Sequence, residues 1–336
     1  MKAKIPKQLT WWLALILLLS FCPARHRALA AEQLTVLHSA MAMSQSMAWI
    51  GQEIGLFQKY NLDLKLVFIG TSSLATAALL GGDADVAVAG AAGFVRAFVQ
   101  GATEVVFIGG VKNILTHSIV ASPAVQKPED LRGKRIGVTR IGSNGHYFVI
   151  QVLRRIGLDP ARDVIIRQVG AEQQVLTALM NNALDAGSML SYGPSAVAQG
   201  FHYVIYGPDL RIPYVGVGLE TRRSVLAKRA PVLGRFMRAM AEAAVVLHKD
   251  REFAFKVLGK RLRINDRKVV EALYDAEIMA LERRLDIKPE ALQAILDEVS
   301  EIDPRAKKVK QQDMVDRRHL DELEKSGFFD RIWAGK

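Results

Sequence analysis

Two stretches concentrate side chains that can hold a solute without making bonds to it. Ser44, Gln45 and Ser46 follow an apolar run that ends near Leu37. Further on, Thr139, Arg140, Ser143, Asn144 and His146 fall between an apolar strand at 135–138 and an apolar-periodic run at 147–156. Both read as strand, small polar loop and helix start. The first backbone N–H groups of a helix have no intrahelical partner. Together with hydroxyls and amides they can satisfy a sulfonate, phosphate or carboxylate without full charge neutralisation. We expect the two loops to face each other across a cleft. Thr71 and Ser72, Gly90 and Ala91, and Tyr192 should join them from further strand–helix junctions. Taken singly, each junction is equally an ordinary capped helix start. Arg140 reads equally as a charge-assisted contact and as a solvated surface arginine. His146 and His38 read as ligand contacts or as buried or solvated histidines.

Other chemistries lack their residues. The seven histidines are scattered, with no H-x-x-x-H spacing and no carboxylate cluster, so neither a metal site nor a cofactor is expected. No G-x-S-x-G elbow, P-loop or paired-carboxylate signature occurs. The single cysteine, Cys22, lies in an N-terminal leader. Once that leader is removed, disulfides, zinc–thiolate sites and cysteine nucleophiles are excluded.

Residues 1–31 have the layout of a secretory signal peptide: Lys2, Lys4 and Lys7, an apolar run at 11–19, then Ala28-Leu29-Ala30. The apolar run is too short to span a bilayer. Phe21 occupies the place where lipoprotein processing needs a small residue, so a lipid anchor at Cys22 is not expected. The leader carries five Lys/Arg and no acid, so the formal charge falls from +11 to +6 on its removal (11 − 5). The remaining basic residues form no dense patch with interleaved aromatics, which argues against nucleic acid as a partner.

The elements that would position these loops follow an α/β rhythm. Strands are expected at 34–39, 62–69, 85–89 and 105–108, then at 117–121, 135–138, 164–168, 184–189 and 203–206. Helices fall between them, which predicts βαβ units and mostly parallel sheets. A shift of 100 residues aligns Gly70 with Gly170, Ala78 with Ala178, Leu79 with Leu179 and Asp85 with Asp185. Two similar lobes would produce this register, and so would ordinary α/β grammar. From Thr221 onward the pattern is helical, with Phe328, Phe329 and Trp333 expected as packing anchors.

The stretches 49–57 (WIGQEIGLF), 79–87 (LLGGDADVA), 130–138 (DLRGKRIGV) and 320–328 (LDELEKSGF) carry a resemblance. In this order the chain resembles the solute-binding proteins of ABC importers, in the branch that binds aliphatic sulfonates, nitrate, taurine and thiamine-pyrimidine precursors. The resemblance implies a two-lobed type II periplasmic-binding-protein clamshell. Lobe one would comprise 32–118 and 215–336, the latter mostly helical, and lobe two 119–214. It implies an exported, monomeric, non-enzymatic protein that closes on a small-molecule ligand and hands it to a permease in the cytoplasmic membrane. A ligand sensor for a membrane receptor would share the fold. The pyrimidine-synthase enzymes of the superfamily depend on a cysteine-rich motif that this chain lacks. Relatives often carry an acid before the proline after the strand at 184–189; here Gly193 precedes Pro194. That departure favours a neutral or anionic ligand.

Overall fold

The computed structural model describes residues 30–334. The proposed leader, with Cys22, falls almost wholly outside them. Residues 32–334 belong to one compact unit. Its strands, in chain order, are β1 (Glu32–His38), β2 (Leu62–Phe68), β3 (Val86–Ala89), β4 (Val105–Leu115), β5 (Ser118–Ala121), β6 (Arg135–Val138), β7 (Ile165–Gln168), β8 (Ala186–Met189), β9 (His202–Ile205) and β10 (Ile212–Arg222).

They form two five-stranded sheets, in the orders β2-β1-β3-β10-β4 and β7-β6-β8-β5-β9. The expectation of mostly parallel sheets needs one correction: both sheets are mixed. Three strands in each pair parallel. The fourth, β10 or β5, is antiparallel to both its neighbours. In each case it is the first strand after the chain has crossed from the other sheet. The first crossing takes only residues 116 and 117.

The sequence pattern gave no strand at β10, although it lies inside the first sheet and nearly every residue in it is buried. Pro213, Gly216 and Gly218 interrupt its apolar run, and its pairing with β4 is irregular between Pro213 and Val217. Such residues are ordinary breakers of a central-strand signal.

The register of 100 residues is physical. Asp85 Oδ2 accepts from Thr35 N at 2.9 Å, and Asp185 Oδ2 accepts from Arg135 N at 2.8 Å. Gly70 and Gly170 both take positive φ, 81° and 116°, at the turn leaving the second strand of each repeat. Neighbouring backbone bonds repeat as well: Ile69 N donates to His38 O and Val169 N to Val138 O.

From Arg223 onward the described chain is helical, as expected, and supplies the outer layer of the first sheet. A 20-residue helix, Ala230–Lys249, opens with Pro231 in its first turn, where the missing N–H costs nothing. Its Phe236 stacks on Phe57 at 6.0 Å and shares a core with Trp49, Leu34 and Val88. Phe328 and Phe329 are buried against that core, and Trp333 packs partly on it. Among the described residues, no helix is long and apolar enough to cross a membrane.

Candidate functional site

A cavity of about 260 Å³ lies between the two sets of strand–helix junctions. Its walls include Ser44 and Gln45, Thr71 and Ser72, and Gly90 from the first sheet's loops. From the second come Thr139, Ser143, Asn144 and Tyr192. Ser46, Ala91 and His146 are not in the lining. Each successive helical residue turns the side chain by about 100°, which takes these three away from the cavity. Ser46 and Ala91 are fully buried. His146 turns back on its own loop, where Nδ1 accepts from Gly142 N at 3.2 Å. Burial lowers the pKa of that imidazole, and nearby Arg96 lowers it further. His38 is also a core residue, edge-on to Trp49 at 5.7 Å.

The loop geometry follows from short-range capping. Ser143 Oγ accepts from His146 N and Thr71 Oγ1 from Leu74 N, both at 3.3 Å, so each hydroxyl caps its helix. Asn144 Nδ2 donates to Gly216 O at 2.7 Å, reaching from the second set of loops to β10. Gly90 makes room for this contact, since a Cβ there would lie 2.9 Å from Asn144 Nδ2. Arg140 Nη1 approaches Thr71 Oγ1 at 3.5 Å, and Arg96 donates to Gly142 O, so both guanidinium groups also bridge the two sides.

Among the cavity residues that escaped the sequence reading are Lys112, His117, Glu172 and Ser188. Lys112 is 1% exposed and lies 3.0 Å from Glu277. Its Nζ donates to Thr116 Oγ1 at 2.9 Å, and Thr116 in turn bonds Glu277. His117 is half-buried, with its ring desolvated by the surrounding protein, and lies near Lys112. Both effects push its pKa down to about 3, so the ring is neutral at physiological pH. Glu172 accepts from the backbone N–H groups of Leu190, Ser191 (3.2 Å) and Tyr192 (3.4 Å). Burial outweighs these bonds and raises its carboxyl to about 7. The lone lysine in the apolar run 105–115 was a legible signal for a special position. Nothing local to Glu172 announced that it would reach a loop 18 to 20 residues away.

Several polar atoms around the cavity have no protein partner: Gln45 Oε1, His117 Nδ1, Asn144 Oδ1 and Ser188 Oγ. Met41, Phe68, Leu190 and Val217 supply an apolar portion of the wall, and Phe68 is 49% exposed. The arrangement can therefore receive a solute that has both polar groups and an apolar surface. Among the described residues, no group of three His, Cys, Asp or Glu could hold a metal ion.

Solved structures share this architecture. The alkanesulfonate-binding protein SsuA from Xanthomonas axonopodis pv. citri, bound to MOPS, superposes with a TM-score of 0.69 at 20% identity, covering 85% of this chain and 98% of that one. A putative sulfonate ABC transporter component, the periplasmic sulfonate-binding protein SsuA from Methylobacillus flagellatus KT, gives 0.66 at 16% identity, covering 89% and 97%. The desulfurization enzyme DszB gives 0.68 at 12% identity, covering 88% and 99%. Identities this low establish the fold alone, and the fold serves both binding proteins and an enzyme. No curated protein matches the chain in sequence. A family model described as NMT1/THI5 like matches residues 46–254, well over half of the chain, and the chain belongs to that NMT1/THI5-like family.

Proposed function

We propose that this protein is the extracytoplasmic substrate-binding component of an ABC importer. It captures a small polar or anionic solute, of the sulfonate, nitrate, taurine or pyrimidine kind, and delivers it unchanged to a membrane permease. The leader at 1–31 directs export. Lobe one is 32–118 with 215–336, lobe two is 119–214, and the mature protein acts as a monomer.

One observation carries this reading. Two opposed sets of helix starts enclose a cavity in which buried polar atoms lack partners. Leaving such an atom unpaired costs about 1–3 kcal/mol, and a bound solute supplies the missing partner. The likeness to sulfonate-binding proteins supports the class of solute. The chain passes between the sheets at 116–117 and again at 206–211. Rotation about these two segments opens and closes the cavity.

Thermal-shift measurements on the mature chain test the proposal, using sulfonates, oxyanions, carboxylates and pyrimidines. At a hundredfold excess over Kd, a bound solute adds about 2.7 kcal/mol to the folded state. At least one class should therefore raise Tm by several degrees. Mass spectrometry should recover that solute unaltered. A flat panel, or a solute recovered as a different compound, overturns the proposal.

A further inference from the structure

We propose that Glu172 selects solutes carrying a nitrogen-borne hydrogen-bond donor, an amine or protonated ring nitrogen, so that the cavity binds its ligand by two chemically opposite ends. The inference rests on the reading of the cavity as a solute site and adds the solute's polarity.

Two acceptors in the cavity have fixed roles. Asn144 spends its amide N–H on Gly216 O, which can only accept, so the atom left without a partner is the acceptor Oδ1. Glu172, when ionised, only accepts. Three backbone N–H groups occupy part of its capacity: Oε1 takes Leu190 and Tyr192, and Oε2 takes Ser191. A carboxylate offers about four acceptor sites, so Oε2 retains one. One cavity thus holds an acceptor with no donor, Asn144 Oδ1, and a second with an unfilled site, Glu172 Oε2. Around them, Gln45 and Ser188 are 1% and 2% exposed and each has an unpartnered oxygen.

The opposite wall has the other character. The helix Ser72–Gly81 begins at the cavity with hydroxyls and free backbone N–H groups, and Arg140 approaches Thr71 there. Lys112 adds no free charge, because Glu277 already neutralises it at 3.0 Å. An anionic group fits the Thr71–Ser72 wall, and a donor nitrogen fits the Glu172 wall. The glycine at 193 therefore does not deprive the cavity of an acid: Glu172 brings one to the same loop from another element.

The charged and titratable groups near Glu172 include Glu277, Tyr192 and Tyr203, and the cavity they share is also lined by Arg140, Lys112 and His117. The two tyrosines stay neutral below pH 9, since burial raises both, and His117 stays neutral above pH 5. Between pH 6 and 8 the Glu172 carboxyl, raised to about 7 by burial, changes charge, while the two tyrosines and His117 do not.

Calorimetry on the mature chain provides the test, with two matched pairs of probes. Taurine is compared with ethanesulfonate, and 3-(piperidin-1-yl)propanesulfonate with 3-cyclohexylpropanesulfonate; each pair differs in the nitrogen, which stays protonated from pH 6 to 8. The nitrogen-bearing member should bind at least tenfold tighter. Its affinity should rise between pH 6 and 8 while that of its partner does not. In Glu172→Gln the preference should fall to within about threefold, with Glu172→Asp intermediate. Circular dichroism confirms that each variant is folded. If Glu172→Gln does not fold, the pH profile of the wild-type preference decides alone. Equal affinities within each pair, a preference that survives in Glu172→Gln, or a flat pH profile overturns the inference. So does the failure of all four probes to bind, and in that case the broader proposal of a solute-binding protein still stands or falls on the thermal screen.

Discussion

The two sheets are the same scaffold built twice, and their differences are concentrated where function needs them. Asp85 and Asp185 tie the same backbone position of β1 and β6. Ala87 and Gly187 occupy matching places in β3 and β8, opposite Glu220 of β10 and Val120 of β5. At the cavity, however, Thr71-Ser72-Ser73 in the first repeat answers to Ala171-Glu172-Gln173 in the second. Both triplets open a helix. An acid there is favoured by the helix dipole, and a threonine there is favoured as a cap, so either satisfies the scaffold. Beneath the helices the contrast reverses. Thr76 donates to Glu220 in the first repeat, at 3.1 Å, whereas Leu176 packs with Val120 in the second. Residues that fix turns and register are common to both halves. Those facing the cavity, and those directly under the helices that frame it, have been free to diverge.

The largest effect is expected where the crossings between sheets differ. At the first, Lys112 and Glu277 form a pair with each side chain 1% exposed. One hundred residues on, Ile212 is buried and apolar. Removing one partner of a buried pair leaves an uncompensated charge and costs about 3–5 kcal/mol. Glu277→Leu should lose that much in urea denaturation. Lys112→Met combined with Glu277→Leu should recover most of it, because well-packed apolar replacements of buried pairs are often neutral. If the double variant is as unstable as the single, the pair is a requirement of the first crossing rather than a tolerated difference.

A smaller effect tests whether one repeat can be converted into the other. Burial pushes the Glu220 carboxyl up to about 8. The unfolded chain releases that proton near pH 4.3, so between roughly pH 4.3 and 8 the folded state binds more protons. Stability then falls as pH rises through that window, and below it this group exerts no pH dependence. Thr76→Leu with Glu220→Val installs the apolar pair of the second repeat. It should add about 1–3 kcal/mol at pH 8 and flatten the slope between pH 5 and 8 in thermal melts. A loss of stability would mean that the space between helix and sheet differs between the halves.

Much of this scaffold was legible because it depends on short-range rules. Alternating apolar runs marked nine strands, and Gly70/Gly170 with Asp85/Asp185 marked the repeat. What escaped depends on partners remote in sequence. β10 hides behind Pro213 and its glycines, and its place is set by neighbours more than 90 residues away, in β3 and β4. The Lys112–Glu277 pair spans 165 residues. The loops lining the cavity could be read from strand–helix junctions, yet which side chain of each junction turns inward could not. Ser44 and Gln45 do so and Ser46 does not, a matter of helical phase that polarity alone does not set.

The smallest expected effect concerns a contact between the halves rather than a difference within them. Arg154 lies near the end of the helix Asn144–Arg155, which packs on the second sheet, and Glu301 follows the helix Pro289–Ser300, which packs on the first. Their side chains meet through two bonds of 2.9 Å, with 46% and 52% of their surfaces exposed. The arginine pKa is raised and the carboxyl pKa lowered by the pairing. At such exposure water and salt screen most of the attraction, and double-mutant cycles on exposed pairs give about 0.2–1 kcal/mol. A cycle of Arg154→Ala and Glu301→Ala should return a coupling in the lower part of that range, shrinking further in 1 M salt. Asn144 makes the contrasting contact, since its bond to Gly216 O ends beside the cavity rather than on the rim. If the cycle instead gives more than 2 kcal/mol, or does not respond to salt, the rim and not the cavity loops holds the two halves together.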